Sequence, residues 1–518
     1  MKNLIIRFMS DMKEIRHFDV VVMGSGLGGL VTGLLLAKSG KKVCILEKNN
    51  QYGGNLQTFV RDREIFDSGV HYIGSLGKNE NLNQYWRYLD ILADIQFEQL
   101  DKDHFDIIRF KDDATAYPQA QDHENFIEQL SKVFPEEREA IEEYIETLKY
   151  YCSKFPLYQL DKGYGYDAEI MKDSCISVIS RLTTNKKLQA VLLGNGFLYG
   201  LHADSPFYMH ALIINSYIQS AWRCIRGGSQ ISKALTKQLR KHGAKLYTYQ
   251  EVEKLNFDGN AIESCETKDY KYTAELFVSN LSVLKLFKLF DHTNTNKPYI
   301  RRLERLKEGP SAFSTHITLK ENSVPYFNHN IYHFESPEDV FSYESNWLGQ
   351  KPKSMMISCS PQEVNQTYAS SISMLSYMDF SNVKAWKDTS NTVKDPHFRG
   401  EEYETFKAKV ASEMIATLST YIPDIQNNIK SIYTSTPLTY RDYIGTSSGS
   451  MYGIEKLASD PLSSLISPKT KVSNLFLTGQ DVRMHGILGV TISAFLAAGE
   501  ILGRDGFFDE FLKTVQHD

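Results

Sequence analysis

The sequence predicts an α/β protein made of two intimately joined domains. Three observations predict this fold. A stretch near the N-terminus, 19–47, has the pattern strand, glycine-rich turn, helix, strand, and a similar strand, turn and helix stand near the C-terminus at 475–502. Between them, helical and strand patterns follow one another without a long flexible linker. The 518 residues also exceed the size at which a single hydrophobic core stops growing.

The first element is a dinucleotide-binding motif, Gly24-x-Gly26-x-x-Gly29, placed between a strand at 19–22 and a helix. Gly24 permits the tight turn, Gly26 lets the main chain approach a pyrophosphate, and Gly29 allows the helix to pack closely on the strand. The free N–H groups and the positive dipole end of the helix attract the phosphates. This stretch therefore predicts a dinucleotide site at the end of the first strand.

The second strand, 43–46, ends at Glu47, which lies 23 residues after Gly24. An acid at this distance is expected to bind the ribose hydroxyls of a dinucleotide. Shortly after it, Gly53 and Gly54 give a second place where the main chain can approach the cofactor. The alternative, a glycine turn with a structural role only, is weaker because the motif joins a strand to a helix and this acid follows it.

A later segment, 226–281, favours FAD as the dinucleotide, because it has the pattern of the remaining part of a FAD-binding half. An Arg-Gly-Gly turn leads into an amphipathic helix, and two strands follow that are joined by a hairpin turn at Asp258-Gly259. Val252 occupies the strand position that would face the adenine.

The C-terminal stretch predicts the flavin end of the same site. A strand at 475–477 turns at Gly479, and Asp481 is then placed to accept hydrogen bonds from ribityl hydroxyls, with a helix N-cap as the alternative. A helix at 486–502 can turn its positive end toward the flavin edge where negative charge gathers on reduction. The candidate cofactor-binding residues are therefore Gly24, Ser25, Gly26, Gly28, Gly29, Glu47, Lys48, Gly53, Gly54, Val252, Gly479, Asp481, Gly489 and Val490.

These motifs divide the chain into interleaved pieces. Two inserts separate the cofactor motifs. The first has the apolar spacing of helices, and the second combines strands with a helix at about 403–421. We predict an N-terminal extension at 1–16, a FAD-binding domain at 17–80, 215–285 and 471–505, a substrate-binding domain at 81–214 and 286–470, and a C-terminal tail at 506–518. Residues 1–11 are expected to be either a frayed arm or an overextended start of the chain.

Charge and composition exclude several classes of function. The net charge of −5 and the pI near 6.3 argue against nucleic acid as a partner, since a phosphate-binding surface needs a basic excess. The six cysteines are scattered without a metal-binding spacing, which indicates a reduced compartment and no structural metal. The N-terminus does not have the pattern of a signal peptide, and no apolar run approaches the length that spans a bilayer. We therefore expect a cytoplasmic protein.

At this point the motifs resemble those of a known group. Besides the glycine motif, the relevant stretches include FDSGVHYIG at 66–74, RGGSQI at 226–231, MYGIE at 451–455 and LTGQD at 477–481. The sequence is similar to the phytoene-desaturase and carotenoid-isomerase superfamily of flavoproteins, and within it most closely to the retinol saturases. FDSGVHYIG carries the narrower likeness, because the desaturases and isomerases lack its His-Tyr pair.

The resemblance implies a Rossmann-like FAD-binding domain of the glutathione-reductase and amine-oxidase type with a discontinuous α+β substrate domain. It also implies non-covalent FAD, an external electron donor such as NAD(P)H, and a lipophilic small-molecule substrate. Two stretches depart from the family pattern, SAWRCI before Arg226 and VRMHGILG after Asp481. Because both are expected to border the flavin or the substrate tunnel, the identity of the substrate does not carry over. Nothing in the sequence indicates an oligomeric state.

Saturating a conjugated C=C bond needs a hydride from flavin N5 and a proton from an acid within hydrogen-bond reach of the second carbon. The candidate catalytic residues are His71 and Tyr72 in FDSGVHYIG, and His485 after the flavin-chain acid, with His210 as a fourth candidate. For each of them a packing or capping role is the alternative.

Three classes of function remain open on the sequence. The first is a FAD-dependent saturase of a long apolar polyene or isoprenoid. The second is a carotenoid desaturase or cis–trans isomerase that uses the same flavin. The third is a non-catalytic isoprenoid-lipid carrier, which the intact glycine motif and Glu47 disfavour because a carrier has no need to keep them.

A polyene substrate is almost insoluble in water, so we also expect peripheral contact with a membrane surface. The candidate segment is LKLFKLF, 284–290, in which two lysines interrupt five apolar side chains. The alternative is a helix packed in the core whose lysines reach solvent.

Overall fold

The structure, a computed structural model, describes residues 13–163, 167–290, 297–341, 347–348 and 351–517. The predicted arm at 1–11 lies outside these residues. The strands are β1 Glu14–Met23, β2 Val43–Leu46, β3 Thr58–Arg61, β4 Glu64–Asp67, β5 Ile73–Gly74, β6 Phe97–Gln99, β7 Asp106–Phe110, β8 Tyr117–Gln119, β9 Ala221–Cys224, β10 Lys245–Tyr247, β11 Lys254–Asp258, β12 Ala261–Glu266, β13 Tyr270–Ser279, β14 Ala312–Leu319, β15 Asn330–Phe334, β16 Trp347–Leu348, β17 Lys351–Pro352, β18 Ser354–Ser358, β19 Ser371–Tyr377, β20 Ile429–Ser435 and β21 Leu475–Leu477.

The α-helices lie between these strands and at the C-terminus. They are α1 Leu27–Lys38, α2 Asn81–Tyr88, α3 His123–Val133, α4 Arg138–Ser153, α5 Cys175–Leu182, α6 Lys186–Leu193, α7 Phe207–Gln219, α8 Ser229–Lys241, α9 Val283–Lys288, α10 Lys297–Leu303, α11 Glu401–Leu418, α12 Ile425–Asn428, α13 Pro437–Ile444, α14 Gly486–Leu502 and α15 Arg504–His517. Among the described residues, no helix is long and apolar enough to cross a membrane.

The first sheet brings together strands from three distant parts of the chain. Its order is β10-β2-β1-β13-β12-β11, and β21 pairs with β13. β1 is parallel to both β2 and β13, and β21 is parallel to β13. The last four residues of β1, Val-Val-Val-Met, are fully buried, as expected for a parallel strand that is covered on both faces. Together with the parallel Rossmann-like arrangement, this confirms the α/β fold class.

The second sheet has seven strands in the order β20-β14-β19-β18-β15-β7-β8 and is mostly antiparallel. Its alternating side chains serve two cores. Side chains such as Tyr332, Leu375 and Tyr377 join the core formed with helices α3 to α7. Side chains such as Phe313, Ile357 and Met374 face α11 instead. This half of the molecule is thus an α+β layer, and its predicted role in substrate binding and the predicted domain boundaries stay predictions.

The two ends of the chain differ from the prediction. β1 begins at Glu14, inside the predicted extension, because its first residues pair with β13 from Tyr270 onward. Their mixed polar pattern has no strand alternation that could reveal this at the sequence level. The predicted tail at 506–518 is largely the helix α15, whose Phe508 and Phe511 are buried against the core under the first sheet.

The segment 284–290 is packed in the core of the first sheet. Leu286, Phe287 and Phe290 are buried, and the ring centroids of the two phenylalanines lie 4.6 Å apart. Lys285 pairs with Glu251 at 2.7 Å and Lys288 is exposed. Three of the five apolar side chains are thus buried and the other two are half-buried, which is the arrangement of the alternative, a helix packed in the core; a membrane-binding face at this segment stays a prediction. Membrane contact elsewhere stays a prediction.

Candidate cofactor and substrate site

Four parallel strands end together at one edge of the first sheet. The register pairs Met23 of β1 with Leu46 of β2 and with Ser279 of β13, and pairs that serine with Leu477 of β21. The turns that follow these strands carry the glycine motif, Glu47, Asn280 and the Thr-Gly-Gln-Asp stretch. In an open α/β sheet, ligands bind outside the carboxyl ends of the strands. The fold therefore collects the predicted cofactor motifs at the edge where a ligand is expected.

A cavity of about 1330 Å³ lies at this edge. Twelve of the candidate cofactor-binding residues line it: Gly24, Ser25, Gly26, Gly28, Glu47, Lys48, Gly53, Gly54, Val252, Gly479, Asp481 and Val490. The other two candidates are placed differently. A Cβ on Gly29 would lie 2.2 Å from the carbonyl oxygen of Gly24, so this glycine permits close packing, as its motif position predicts. Gly489 lines a neighbouring cavity.

The glycines of this edge are needed because main-chain segments meet there. A Cβ on Gly28 would lie 2.6 Å from the main chain of Gly479. The side chain of Asn280 lies between the two turns, and a Cβ on Gly26 or Gly479 would approach it to 2.5 or 2.4 Å. The helix α1 and the turn after β21 can therefore approach each other only without side chains.

Glu47 holds the glycine loop and faces the cavity. Its carboxylate accepts hydrogen bonds from the main-chain N–H of Ser25 at 3.2 Å and from the Ser25 hydroxyl at 2.5 Å. Its other oxygen accepts from the N–H of Asn49 at 2.8 Å. Glu47 is 5 % exposed and lines the cavity, as Val252 does, and its role as a ligand of the ribose hydroxyls stays a prediction.

Asp481 has a role that the sequence did not indicate. Both carboxylate oxygens accept main-chain hydrogen bonds, one from Val283 at 2.7 Å and one from Ile454 at 2.9 Å. Burial is the main cause that raises the pKa of this carboxyl, and the bonded N–H groups and Lys456 oppose the shift. Asp481 lines the cavity, but it also ties two distant loops together. Its role as a ribityl ligand stays a prediction.

Lys48 lies at the same cavity, on the side of Glu47. Its ammonium group donates a hydrogen bond to the carbonyl oxygen of Asp442 at 2.7 Å. Burial and the nearby charge of Lys285 lower the pKa of Lys48 to about 8. This lysine therefore contributes a cation at the end of the cavity where Glu47 and Val252 lie.

A second cavity, of about 1050 Å³, adjoins the first and is mostly apolar. Its wall comes from α7, α14 and the loop after α4, with residues such as Phe155, Leu212, Ile213, Leu488, Ile492 and Leu496. Gly486 and Ile487 line both cavities. A Cβ added to Gly486 would meet no atom within 4 Å, so the space beside the start of α14 is open. A ligand in the apolar cavity would thus lie next to a ligand in the cofactor cavity.

Of the three predicted catalytic residues, His485 is among the described residues that line the two cavities, whereas His71 and Tyr72 are not. It precedes α14, borders the apolar cavity and is 5 % exposed. Its Nε2 has no hydrogen-bond partner among the described residues, and its ring lies 4.9 Å from that of Tyr452. Burial, with a smaller effect of Lys456, lowers the pKa of His485 to about 3, so the imidazole is neutral.

Tyr72 belongs to a buried polar cluster that lies outside the residues lining the two cavities. Its hydroxyl donates to the carboxylate of Asp106 at 2.7 Å and lies 2.7 Å from the hydroxyl of Tyr332. Asn330 also donates to Asp106, and the buried guanidinium of Arg223 bonds the side-chain oxygen of Asn330. Burial raises the pKa of Asp106 to about 7 against the effect of these donors. The cluster joins the FDSGVHYIG stretch to the second sheet.

The remaining histidines have structural surroundings. The carbonyl oxygen of His71 accepts a bond from Arg223, and burial lowers the pKa of the His71 imidazole to about 4. His210 is buried between two tyrosines, with Nε2 2.7 Å from the Tyr144 hydroxyl and Nδ1 2.8 Å from the Tyr199 hydroxyl. Neither histidine is among the residues that line the two cavities. The catalytic role of His71 and Tyr72 stays a prediction.

Sequence reasoning missed several residues that line the cofactor cavity. Asn280 follows β13 directly, and its place at the end of a buried strand was the signal that could have found it. Gly69 lies within the FDSGVHYIG stretch, where the His-Tyr pair drew attention instead. Tyr452 reaches the cavity from a loop in MYGIE, and no local pattern marks it.

Comparison with known proteins agrees with this geometry. The family model described as NAD(P)-binding Rossmann-like domain matches residues 22–89. All-trans-retinol 13,14-reductase of Danio rerio is 26 % identical, over 96 % of this chain and 88 % of that protein. Prolycopene isomerase 2 of an Oncidium hybrid cultivar is 22 % identical, over 96 % of this chain and 85 % of that protein. A redesigned putrescine oxidase superimposes with a TM-score of 0.64 at 11 % identity, over 95 % of this chain and 100 % of that one.

Fold, site and comparisons together define an oxidoreductase with a Rossmann-like dinucleotide-binding domain. The chain is similar over nearly its whole length to retinol reductases and to prolycopene isomerases. The resemblance that its motifs predicted is therefore confirmed.

Proposed function

We propose that this protein is a FAD-dependent reductase that saturates a C=C bond of a long apolar polyene or isoprenoid. The observation that carries the proposal is the meeting of the two cavities at Gly486 and Ile487. One cavity is built from dinucleotide-binding turns and the other from apolar side chains. Relatives named all-trans-retinol 13,14-reductase support reduction as the direction of the chemistry.

The cofactor cavity suits non-covalent FAD. Glu47 and Val252 would hold the adenosine half, the glycine loop before α1 the pyrophosphate, and the turn after β21 the ribityl chain. The N-terminus of the 17-residue helix α14 carries no side-chain cap, so its free N–H groups would face the flavin ring. When bound and reduced, FAD would supply the hydride for a two-electron reduction.

The chain's own contribution is to hold the substrate and to exclude water. The apolar wall from α7 and α14 would bury a polyene and place one of its double bonds at the junction. His485 lines the apolar cavity directly before Gly486 and is the candidate for passing a proton to the second carbon. Because its imidazole is neutral, it would have to take up a proton on one nitrogen as it gives one from the other.

A desaturase or a cis–trans isomerase of carotenoid-like polyenes is the second candidate. Relatives named prolycopene isomerase support it, and the same pair of cavities would serve it. A non-catalytic carrier would not need Glu47 beside the glycine loop. These candidates differ in what happens to the electrons, and this difference can be measured.

The test is a single turnover under anaerobic conditions. The purified protein is expected to be yellow and to release FAD on acid precipitation. After chemical reduction, adding a polyene should restore the absorbance of oxidised flavin and give a product that is heavier by two hydrogens. An isomerase would give a product of unchanged mass, and a desaturase would reduce the oxidised flavin instead. A protein that binds no flavin would contradict the whole proposal.

A variant with a bulkier side chain in the apolar cavity tests whether the substrate binds there. Leu496 is half-buried in the wall of the apolar cavity, whereas Leu462 is 59 % exposed. Leu496→Trp should slow turnover by at least about tenfold with FAD content unchanged, since the indole would occupy substrate space. Leu462→Trp, the matched control, should behave like the parent. Equal turnover in both variants would show that the substrate binds elsewhere.

A further inference from the structure

A third cavity, of about 300 Å³, lies next to His485, and we call it the polar cavity. Apart from three glycines and three apolar residues, the described residues that line it have polar side chains: Tyr199, His202, Ser205, Tyr452, Glu455, Lys456 and His485. Of these, His485 also lines the apolar cavity, and Tyr452 also lines the cofactor cavity. The candidate for the proton step therefore borders an apolar and a polar cavity at once.

One ring nitrogen of His485 lacks a protein partner at this place. Its Nε2 is buried and has no hydrogen-bond partner among the described residues. Buried polar atoms are nearly always hydrogen-bonded, either to the protein or to ordered water. Water can take this part where the surroundings offer room and several polar groups, and the polar cavity offers both. We therefore expect water in the polar cavity to be the partner of His485.

His202 and Glu455 form a partly exposed pair at the same cavity. Nε2 of His202 lies 3.4 Å from a carboxylate oxygen of Glu455, and each side chain is 14 % exposed. The main-chain N–H of Asp204 donates to Nδ1 of His202 at 3.3 Å, so the proton of the neutral ring is on Nε2 and faces the carboxylate. The pair can thus hold a proton and exchange it with bulk water.

The pair also joins two loops, the one before α7 and the one after α13. Asp204 already joins the same loops, because its carboxylate accepts hydrogen bonds from the main-chain N–H and the hydroxyl of Ser459. A second tie would need no polar cavity that it shares with a buried histidine. The shared cavity therefore points to a role beyond holding the loops.

We propose that the polar cavity is a water-filled proton path that leads from the His202–Glu455 pair to His485. The inference rests on the proposed function and specifies how its proton is supplied. His202 and Glu455 act through His485 and do not touch the substrate.

This path keeps the proton step balanced. As one ring nitrogen of His485 gives its proton to the substrate carbon, the other takes a proton from water in the polar cavity. The pair returns a proton to that water and is itself reprotonated by bulk solvent. One proton thus enters from solvent for each proton that leaves to carbon, and no oxidant or reductant is needed besides the bound, reduced cofactor. The ring ends as the other tautomer, and proton exchange with water restores the first.

The first measurement needs no substrate. The hydrogen on Cε1 of a histidine exchanges slowly in deuterated water, and mass spectrometry of peptides gives the rate for each histidine. His210 is the matched reference, because burial lowers the pKa of both histidines to about 3 and two tyrosines enclose His210. We expect His485 to exchange on the order of tenfold faster than His210.

The same comparison in Leu496→Trp identifies the route of the water, since the indole fills the apolar cavity. The faster exchange of His485 should persist in this variant. Equal rates for the two histidines, in the parent or in Leu496→Trp, would overturn the inference.

The second measurement is a single turnover of the FAD-loaded, chemically reduced protein with a polyene, beginning with all-trans-retinol. Glu455→Gln and His202→Gln should each slow the reduction at least about tenfold and raise the solvent deuterium isotope effect, with the dissociation constant of the polyene within about twofold of the parent's. The double variant should be no slower than the slower single one, because both residues serve one path. Asp101→Asn, which alters a histidine–carboxylate pair elsewhere, is the matched control and should behave like the parent.

Chemical rescue separates proton transfer from a loss of structure. In Glu455→Ala, formate can occupy the space of the missing carboxylate and should raise the rate about threefold or more, whereas chloride at the same ionic strength should not. A slow Glu455→Ala that formate does not rescue, with an unchanged isotope effect, would assign the pair a structural role and overturn the inference.

The outcomes distinguish the two proposals. If the variants of the pair reduce the polyene at the rate of the parent, the proton path is overturned while the proposed reductase stands. If the reduced parent converts no polyene, the proposed function is contradicted, and the proton path with it.

Discussion

The cofactor cavity and the apolar cavity lie side by side, but different parts of the chain build them. The cofactor cavity is made largely of main chain, in turns at the ends of β1, β2, β13 and β21. Glycines shape it, and the described residues that line it include three asparagines, Asn49, Asn55 and Asn280, and three acids, Glu47, Glu251 and Asp481. The apolar cavity is made of side chains from α7, α14 and the loop after α4. The shape of the cofactor cavity is set by local turn geometry, and the shape of the apolar cavity is set by the packing of helices.

This difference decides what each cavity tolerates. At a glycine where other turns approach within van der Waals distance, even one added carbon atom causes a clash. An apolar wall accepts many substitutions of similar volume and changes its shape with each of them. A family that shares a cofactor can therefore differ in its substrates. The VRMHGILG stretch, where this chain departs from the family pattern, lies at the contact between the two cavities.

The largest effect should come from adding one methyl group to a glycine of the cofactor cavity. Gly28→Ala would place a Cβ 2.6 Å from the main chain of Gly479 and push α1 away from the turn after β21. We expect the variant to be purified without flavin. Gly506→Ala is the control, because a Cβ at this helical position meets no atom within 4 Å. The measurement is the ratio of flavin to protein absorbance. Full flavin content in Gly28→Ala would contradict the view that these turns must touch.

The same contrast explains what the sequence could predict. The strands 43–46 and 475–477 and the helix 486–502 were predicted with their observed bounds, because short motifs with glycine and acid at fixed spacing specify them. Arg483 and Tyr208 come from segments far apart in sequence, and only tertiary packing brings them to one cavity. Tyr72 was proposed as an acid from a family likeness. Its hydroxyl donates a hydrogen bond to Asp106, a residue on β7 that no local pattern links to it.

An effect of intermediate size should separate the roles of two acids of the cofactor cavity, Glu47 and Asp481. Glu47→Ala should weaken FAD binding by about 1.5–3 kcal/mol, the value of a charge-assisted hydrogen bond. Asp481→Ala should in addition lower the free energy of unfolding, because the N–H groups of Val283 and Ile454 lose their acceptor. FAD titration of the apoprotein and urea denaturation measure the two quantities.

Two outcomes would contradict this difference between the roles of Glu47 and Asp481. If Asp481→Ala weakens FAD binding but unfolds at the same urea concentration as the parent, the carboxylate acts as a cofactor ligand and not as a tie between loops. If Glu47→Ala binds FAD as the parent does, the carboxylate serves only to hold the loop through Ser25 and Asn49.

The smallest expected effect is a change in how steeply the free energy of unfolding depends on pH. It concerns the polar cluster around Asp106. Burial raises the pKa of this carboxyl to about 7 in the folded protein, whereas an aspartate in an unfolded chain titrates near about 3.9. Between these values the folded state holds a proton that the unfolded state has lost. The free energy of unfolding should therefore fall as the pH rises from about 4 to about 7, by at most about 1.4 kcal/mol per pH unit from this group.

Asp106→Asn should flatten this dependence, because an asparagine has no proton to lose in that range. Asp388→Asn, at an exposed position, is the matched control and should keep the slope of the parent. Urea denaturation at several pH values between about 4 and 8 gives the slopes. Asp67 is buried as well, with a pKa raised to about 7 by burial, so the Asp106→Asn variant should retain a part of the slope.

An unchanged slope in Asp106→Asn would mean that Arg223 and the donors from Tyr72 and Asn330 keep Asp106 ionised throughout. The cluster would then hold a buried carboxylate, stabilised by its hydrogen-bond donors and by the charge of Arg223 on β9, instead of a neutral hydrogen-bonded network.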